Sequence, residues 1–418
     1  MYGDSQGRTK WLEAYRESVS RLDKYTEFAI ASMIYVGGSI YRRYKALWVQ
    51  KEKRILVSRL DAIGDMTCSS AFLRNLRQSF PDYQITLACS KSTKNLVEYC
   101  PYVDEIFTID TKVVKHRFMT FVKRALRFSK EHFANRNYEI AIAPYYDNTG
   151  VYPDQYICLL SGADKRYAYT EMVSDTKHEY FMGLHDTFFN KVCMSKTVHH
   201  EVESTLNLLN FILGGVHKFD DSLELWTSQE DKTYITKMFA ERGIQSDKIN
   251  IVVNLSTSNK TKDWDVHKYI DVCQRIIEKY DVNYFVIGAG QMCADYADVF
   301  MKHIYNAFNF VNKTTIRQMV ELISRSHVYL GGDTGILHVA TAFNLDGVAI
   351  YKNAKDIEKS PRPDEWYGPW HSSIKVIQPK HNLPGCEYEC SKDAHCINQV
   401  TSDEVFQILD QVLAARIQ

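Results

Sequence analysis

The sequence has no surplus of either charge: 51 Lys and Arg stand against 51 Asp and Glu in 418 residues. A nucleic-acid binder working by bulk electrostatics needs a basic excess, so that class is set aside and only a local basic patch stays open. The first ten residues, MYGDSQGRTK, lack an apolar h-region, and no secretory signal is expected. The uncharged run Phe28 to Tyr41 is 14 residues, whereas crossing a bilayer takes about 20. The ten cysteines are scattered apart from a late cluster at 386, 390 and 396. That usage suits a reducing cytosolic protein better than a disulfide scaffold. No P-loop occurs, and the G-A-G of residues 288–290 lacks the spacing and the acidic ribose partner of a dinucleotide fingerprint, so no cofactor is expected.

What is present is ordinary globular material, 45% hydrophobic and 24% charged, long enough for two or three domains. From Arg54 onward, buried-strand runs alternate with amphipathic helices. ILVSRL (55–60) leads through the turn DAIGDM (61–66) into a helix over 67–80, and ITLACS, VDEIFTID and EIAIAP follow as strands. The pattern predicts an α/β fold with a parallel, doubly wound sheet. A second domain of the same kind begins near Lys248 with INIVVNLS, continues through NYFVIGAG and VYLGG, and is closed by a helix over 400–413. The expected divisions are a helical extension over 1–50, domains over 51–240 and 245–400, and the closing helix over 401–418. After Lys165 the sequence reads as irregular, and His185, His199 and His200 lack metal-ligand spacing.

The stretch Val328 to Phe343 carries the strongest local signal: a strand, a turn at Gly331 and Gly332, then a helix. Asp333 or Thr334 stands where a helix cap belongs, and the amides of Gly335 and Ile336 lack partners within the helix. Such an end is an anion site, above all for phosphate. His338, one turn on, is expected on the same ligand. D-T-G also marks aspartic proteases, but no second D-[ST]-G exists here and the following residues read as helix. In the first domain Asp65, beside Gly64, projects at the carboxyl end of the first strand, where such sheets bind ligands, and is a candidate general base, with a helix N-cap as the alternative. Lys260 or Lys262, in the polar turn TSNKTKDW (257–264), offers a cation for a diphosphate. Residues 112–136 hold Lys115, Arg117, Arg124 and other cations against one Glu, along an apolar stripe; this basic helix suits a phosphorylated glycolipid or an anionic surface, or equally a merely solvated face. The apolar helix Phe28 to Tyr41, with Arg42 and Arg43 at its exit, fits either docking on the protein or a membrane interface, and docking is the preferred reading. Cys386, Cys390 and Cys396, with His395, have irregular spacing for one metal site.

Three of these stretches, in this order, resemble the glycosyltransferase family 9 heptosyltransferases: RLDAIGDM (59–66) with its helix and Phe80-Pro81, the K-x-W turn (257–264), and GGDTGILHVATAF (331–343). The resemblance covers about 54–415 and implies the GT-B fold, two Rossmann-like domains facing across a cleft. It implies an inverting, metal-independent transfer, by default from ADP-heptose to a lipopolysaccharide core or other surface-glycan acceptor. Asp65 matches the base and Lys262 the diphosphate lysine, with Thr257, Ser258 and Lys260 around it. Asp333, Thr334, Gly335 and His338 match the turn that holds the nucleotide sugar, while Arg59, Gly64, Lys115, Arg117 and Arg124 fall on the acceptor side. The chain departs from the family at K-x-W-D for K-x-W-P, at Lys352 in place of a glycine, and near the nucleoside, where Asp295 is the nearest stand-in. A cytoplasmic location with peripheral association with the inner membrane is expected, and no nucleic-acid partner. The alternatives are a protein-modifying heptosyltransferase with a Cys-bound metal and a non-catalytic GT-B binding protein.

Overall fold

The structure is a computed structural model that describes residues 21–45, 47, 52–111, 117–146, 154–170, 185–195, 198–245, 247–355, 363–384 and 396–417. It divides into two compact units, one over Trp11–Asp221 and one including Ser222–Gln418.

In the first unit helix α1 (Arg21–Lys45) precedes strand β1 (Arg54–Arg59), which leads into α2 (Ile63–Cys68) and α3 (Ser70–Ser79). Then come β2 (Gln84–Ser90), β3 (Glu105–Ile109), α4 (Arg117–His132), β4 (Ile140–Ala143), α5 (Asp154–Leu160), β5 (Lys165–Tyr169), β6 (Lys191–Cys193) and α6 (Glu201–Leu213). The six strands are all parallel, in the order β3-β2-β1-β4-β5-β6. Runs such as Ile55–Leu56–Val57 are buried on both faces, as a parallel sheet covered by helices requires.

The second unit opens with α7 (Gln229–Glu241) and continues β7 (Ile249–Asn254), α8 (Val266–Ile277), β8 (Val282–Val286), β9 (Ala307–Asn309) and α9 (Ile316–Ser324). It ends with β10 (Val328–Gly332), α10 (Gly335–Ala342), β11 (Asp346–Ile350), β12 (Lys375–Ile377) and α11 (Ser402–Ile417). Its sheet is again parallel, in the order β12-β11-β10-β7-β8-β9. Each sheet therefore reverses direction once, between β1 and β4 and between β7 and β10. The crevice outside the carboxyl ends at such a switch point is where doubly wound sheets bind ligands.

Several expected boundaries move. The units part at Asp221–Ser222 rather than near residue 240, because α7 packs against α9 of the second unit. The described helix of the extension, α1, packs on α5, with Ile30 and Ile34 joining the first core. Gly38 makes that approach close, since a Cβ there would lie 3.4 Å from Leu159. Nor does α11 stand apart, for it packs on α8 and β11 and buries Val405, Leu409 and Leu413. The segment read as irregular after Lys165 holds β5, β6 and α6. His200 caps α6, its Nδ1 accepting from the Val202 amide at 3.1 Å.

Candidate functional site

The first half-site forms at the β1/β4 switch point. β1 ends in Arg59, whose side chain is 1% exposed. It donates to the Pro144 carbonyl at 2.6 Å, just beyond β4, and to Glu201 at the head of α6. Its Nε lies 3.1 Å from Asp61, and its guanidinium rests 4.7 Å from the centroid of the Tyr145 ring. Burial works against the cation, but Glu201 and Asp61 outweigh it and push its pKa up. Asp61 is also shifted up, chiefly by burial, with Asp65, Asp154 and Glu201 adding like charge against Arg59. Asp154, at the first position of α5, accepts from Ser58 at 2.6 Å and from Tyr145, and burial lifts it to about 7.

Asp65 is the carboxylate of this group that solvent can reach. Its side chain is 23% exposed, against 12% for Asp61 and 6% for Glu201, and it lies 4.0 Å from Arg59. The residues read as the turn 61–66 are in part helix: α2 starts at Ile63, so Asp65 stands in its first turn and is not a cap. Ser69 breaks the path between α2 and α3, its hydroxyl donating to the Asp65 carbonyl at 2.8 Å. A partly exposed carboxylate on rigid backbone, beside a cation saturated by other acids, can accept a proton from a substrate hydroxyl.

The second half-site forms at the β7/β10 switch point. Gly331 and Gly332 do not make the turn; they complete β10, in register with β7 (Gly331 opposite Asn254). A Cβ on Gly332 would lie 3.1 Å from the Thr257 methyl, and one on Gly331 2.6 Å from the Tyr329 hydroxyl. Gly332 is thus what lets the 257–264 loop lie against the end of β10, while Gly331 leaves room for the Tyr329 hydroxyl. There Lys262 donates to Asp333 at 2.7 Å, with 30% and 16% of their side chains exposed. Thr334 occupies the cap position of α10, yet its side chain makes no cap bond and donates instead to Asn254 at 3.1 Å. The first amides of α10 are therefore left without a side-chain cap, beside a lysine, which is an anion-binding arrangement.

The loop that carries Lys262 is pinned at both ends. Trp264, 2% exposed, donates its indole N–H to the Val400 carbonyl at 3.0 Å and meets Tyr269 edge-on. The Thr257 amide donates to buried Asp263 at 2.7 Å, and burial raises that carboxyl. Between the pins, the Asn259 side chain accepts from the Thr261 amide at 3.0 Å and starts the short helix Lys260–Lys262.

Of the residues expected at the donor turn, Lys262, Asp333, Thr334, Gly335 and Thr257 come together, while Ser258 and Lys260 are exposed. His338 is 4% exposed and buried among the residues of α10. Asp295 accepts from Gln291 on its own helix at 2.8 Å. On the acceptor side Gly64 is buried in α2, and Arg117 begins α4. Arg124 pairs with Asp110 at 3.6 Å, whereas Lys115 lies outside the described residues. So do Cys386, Cys390 and His395; Cys396 is buried, and no group of three metal-capable side chains occurs among the described residues.

Sequence reasoning missed Asp61, Tyr145, Asp154 and Glu201. Each falls just after a strand or at the head of a helix, but only the β1/β4 adjacency shows that they converge on Arg59. Lys352, noted only as a departure, directly follows Tyr351 at the end of β11; its Nζ lies 3.5 Å from the Thr261 hydroxyl, so it joins the donor loop.

The profile described as glycosyltransferase family 9 (heptosyltransferase) matches residues 173–395. A lipopolysaccharide core heptosyltransferase, OpsX of Haemophilus influenzae, is 21% identical over 319 residues, 75% of this chain and 83% of its own. Among solved structures, a family 9 glycosyl transferase from Veillonella parvula superposes with a TM-score of 0.68 at 18% identity, over 88% of this chain and 98% of its own. The E. coli ADP-heptose lipopolysaccharide heptosyltransferase II follows with a TM-score of 0.62 at 16% identity, over 87% and 100%. At these identities the structures speak to the fold, which is GT-B.

Proposed function

Because the chain belongs to glycosyltransferase family 9, we propose that this glycosyltransferase moves a heptose from ADP-heptose to a lipopolysaccharide core acceptor, with inversion and without a metal. The observation that carries the reading is the Lys262–Asp333 contact at 2.7 Å beside the uncapped start of α10. A departing nucleotide diphosphate needs positive charge already in place. Lys262 and the amides of Gly335 and Ile336 supply it on fixed backbone. In the free protein Asp333 holds the ammonium, and the diphosphate takes its place when donor binds.

In the proposed step the acceptor hydroxyl oxygen attacks the anomeric carbon of the heptose from the face opposite the diphosphate. Asp65 takes the hydroxyl proton as the new C–O bond forms and the bond to the diphosphate oxygen breaks. The leaving group departs as ADP with its charge on Lys262 and the α10 amides. One displacement inverts the anomeric configuration. A general base in this role contributes typically 10²–10⁴-fold. Arg59 positions Asp65 and is itself held by Glu201 and Asp61.

The curated relative acts, by its name, on lipopolysaccharide core, which favours a membrane-anchored glycan acceptor over a polypeptide. The chain then works at the cytoplasmic face of the inner membrane as a peripheral protein. Among the described residues no helix is long and apolar enough to cross a membrane.

A thermal-shift panel of ADP, UDP, GDP, CMP and their sugars tests the donor, since a ligand that binds only the folded state raises the melting temperature by mass action. Stabilisation by ADP and ADP-heptose alone is expected. A selective response to UDP or GDP would replace the donor, and no response to any nucleotide would remove the transfer reading.

A further inference from the structure

Helix α1 has two apolar faces, and only one of them is used. Ile30, Ile34 and Gly38, four residues apart, turn inward onto α5, and Tyr35 stacks on Phe188 with ring centroids 6.3 Å apart. The opposite stripe continues past the helix end as Met33, Val36, Ile40, Tyr44 and Leu47, exposed by 64%, 55%, 63%, 63% and 76%. Five large apolar side chains, each more than half exposed at helical spacing, form a contiguous patch of a kind that soluble monomers seldom leave open.

Charge decides what covers it. From Ala29 to Lys45 the helix has no acidic residue, and its last turn reads Arg42, Arg43, Tyr44, Lys45. Helix α4 packs, as α1 does, against α5, which is buried along its whole length. The outer face of α4 carries Lys123, Leu126, Arg127, Lys130 and Glu131, all exposed, three cations against one acid. Two helices that flank one buried helix thus present an apolar stripe and a cationic stripe. The helix's two acids, Asp23 and Glu27, stand near its start, so a second copy docked α1 to α1 in parallel would bring the basic ends no counter-charge. An anionic lipid surface takes the apolar side chains into its acyl boundary, offers Tyr44 the headgroup level, and neutralises the cations.

We infer that the outer faces of α1 and α4 dock the first unit onto an anionic bilayer, with α1 lying in the interface. The inference deepens the proposed membrane-anchored acceptor by naming the surface that brings the enzyme to it. The test uses the full chain with vesicles of phosphatidylcholine alone and vesicles containing phosphatidylglycerol, read by co-sedimentation at low and high salt. Co-sedimentation with the anionic vesicles only, weakened by salt, is expected. Two double variants change exposed positions only: M33D/I40D on α1 and K123E/R127E on α4. Each should cut the bound fraction by roughly tenfold or more, with circular-dichroism melting unchanged.

Failure of the wild-type chain to bind anionic vesicles overturns the inference. So does binding that both variants leave intact. A wild-type dimer in light scattering that M33D/I40D dissociates would assign the face to a second copy instead and overturn it as well. None of these readings depends on a nucleotide, so the surface can fail while the donor reading stands, and the reverse.

Discussion

Asp154 should make this protein lose stability as pH rises, and its amide variant should not. The side chain is 2% exposed and accepts from Ser58 and Tyr145, and burial raises its pKa to about 7, against about 3.9 for a free aspartate. The folded state therefore holds a proton that the unfolded chain releases near pH 4. Between the two values the folded state binds more protons, so stability falls with rising pH, by about 1.4 kcal/mol per unit. The loss begins near pH 4, totals about 4 kcal/mol by pH 8, and flattens above that; about 1.4 kcal/mol of it falls between pH 6 and 8. Asp154→Asn keeps the shape and an acceptor oxygen and has no proton to lose. Urea unfolding of both proteins from pH 4.5 to 8, with the variant's curve subtracted, removes the other titrating groups. The difference should move steadily in favour of the variant as pH rises. A flat difference, or one moving toward the wild type, would mean that Asp154 is an anion stabilised by Arg59, and the account of burial would be wrong.

Three further outcomes follow from the two half-sites. Asp65→Asn should lower kcat by about 10²–10⁴-fold while leaving the ADP thermal shift intact, because it removes a proton acceptor and no donor contact. Lys262→Met should weaken ADP binding by roughly 10- to 150-fold, the worth of a charge-assisted bond of about 1.5–3 kcal/mol. The same variant should move the nucleotide-free melting curve little, since a partly exposed pair contributes under about 1 kcal/mol. Gly347→Ala should destabilise by about 3 kcal/mol or more: Gly347 has φ +143°, and a Cβ there would fall 2.0 Å from the Tyr329 carbonyl. Denaturant unfolding reads that cost.

The fold class was legible because long periodic stretches carry it. ILVSRL and INIVVNLS are buried runs followed by amphipathic helices, and that alternation admits few architectures. The meeting of Lys262 and Asp333 was legible for a similar reason: both follow sheet strands at a switch point, and each lies in a short motif. The acid cluster around Arg59 was not. Asp61 lies two residues from Arg59, but Asp154 and Glu201 come from distant places in the chain, and nothing local marks carboxylates that will be buried beside the end of β1. The strands β5 and β6 escaped because they are short and begin with lysine. Helix α6 escaped because histidine, a rare cap, stands where Ser or Asp would have announced it. Glycines 331 and 332 read as a turn on their usual meaning; in the structure they end a strand, and Gly332 leaves space for another loop to lie on it.

The seam at Asp221–Ser222 has a consequence for inheritance. Asp220 is held to the first unit by Arg74 and Asn75, both donating to its carbonyl, at 2.9 and 2.7 Å. Every residue proposed for the sugar nucleotide lies after that clamp, and every residue proposed for the acceptor's proton lies before it. A single recombination just downstream of Asp220 would therefore exchange one proposed set and keep the other whole.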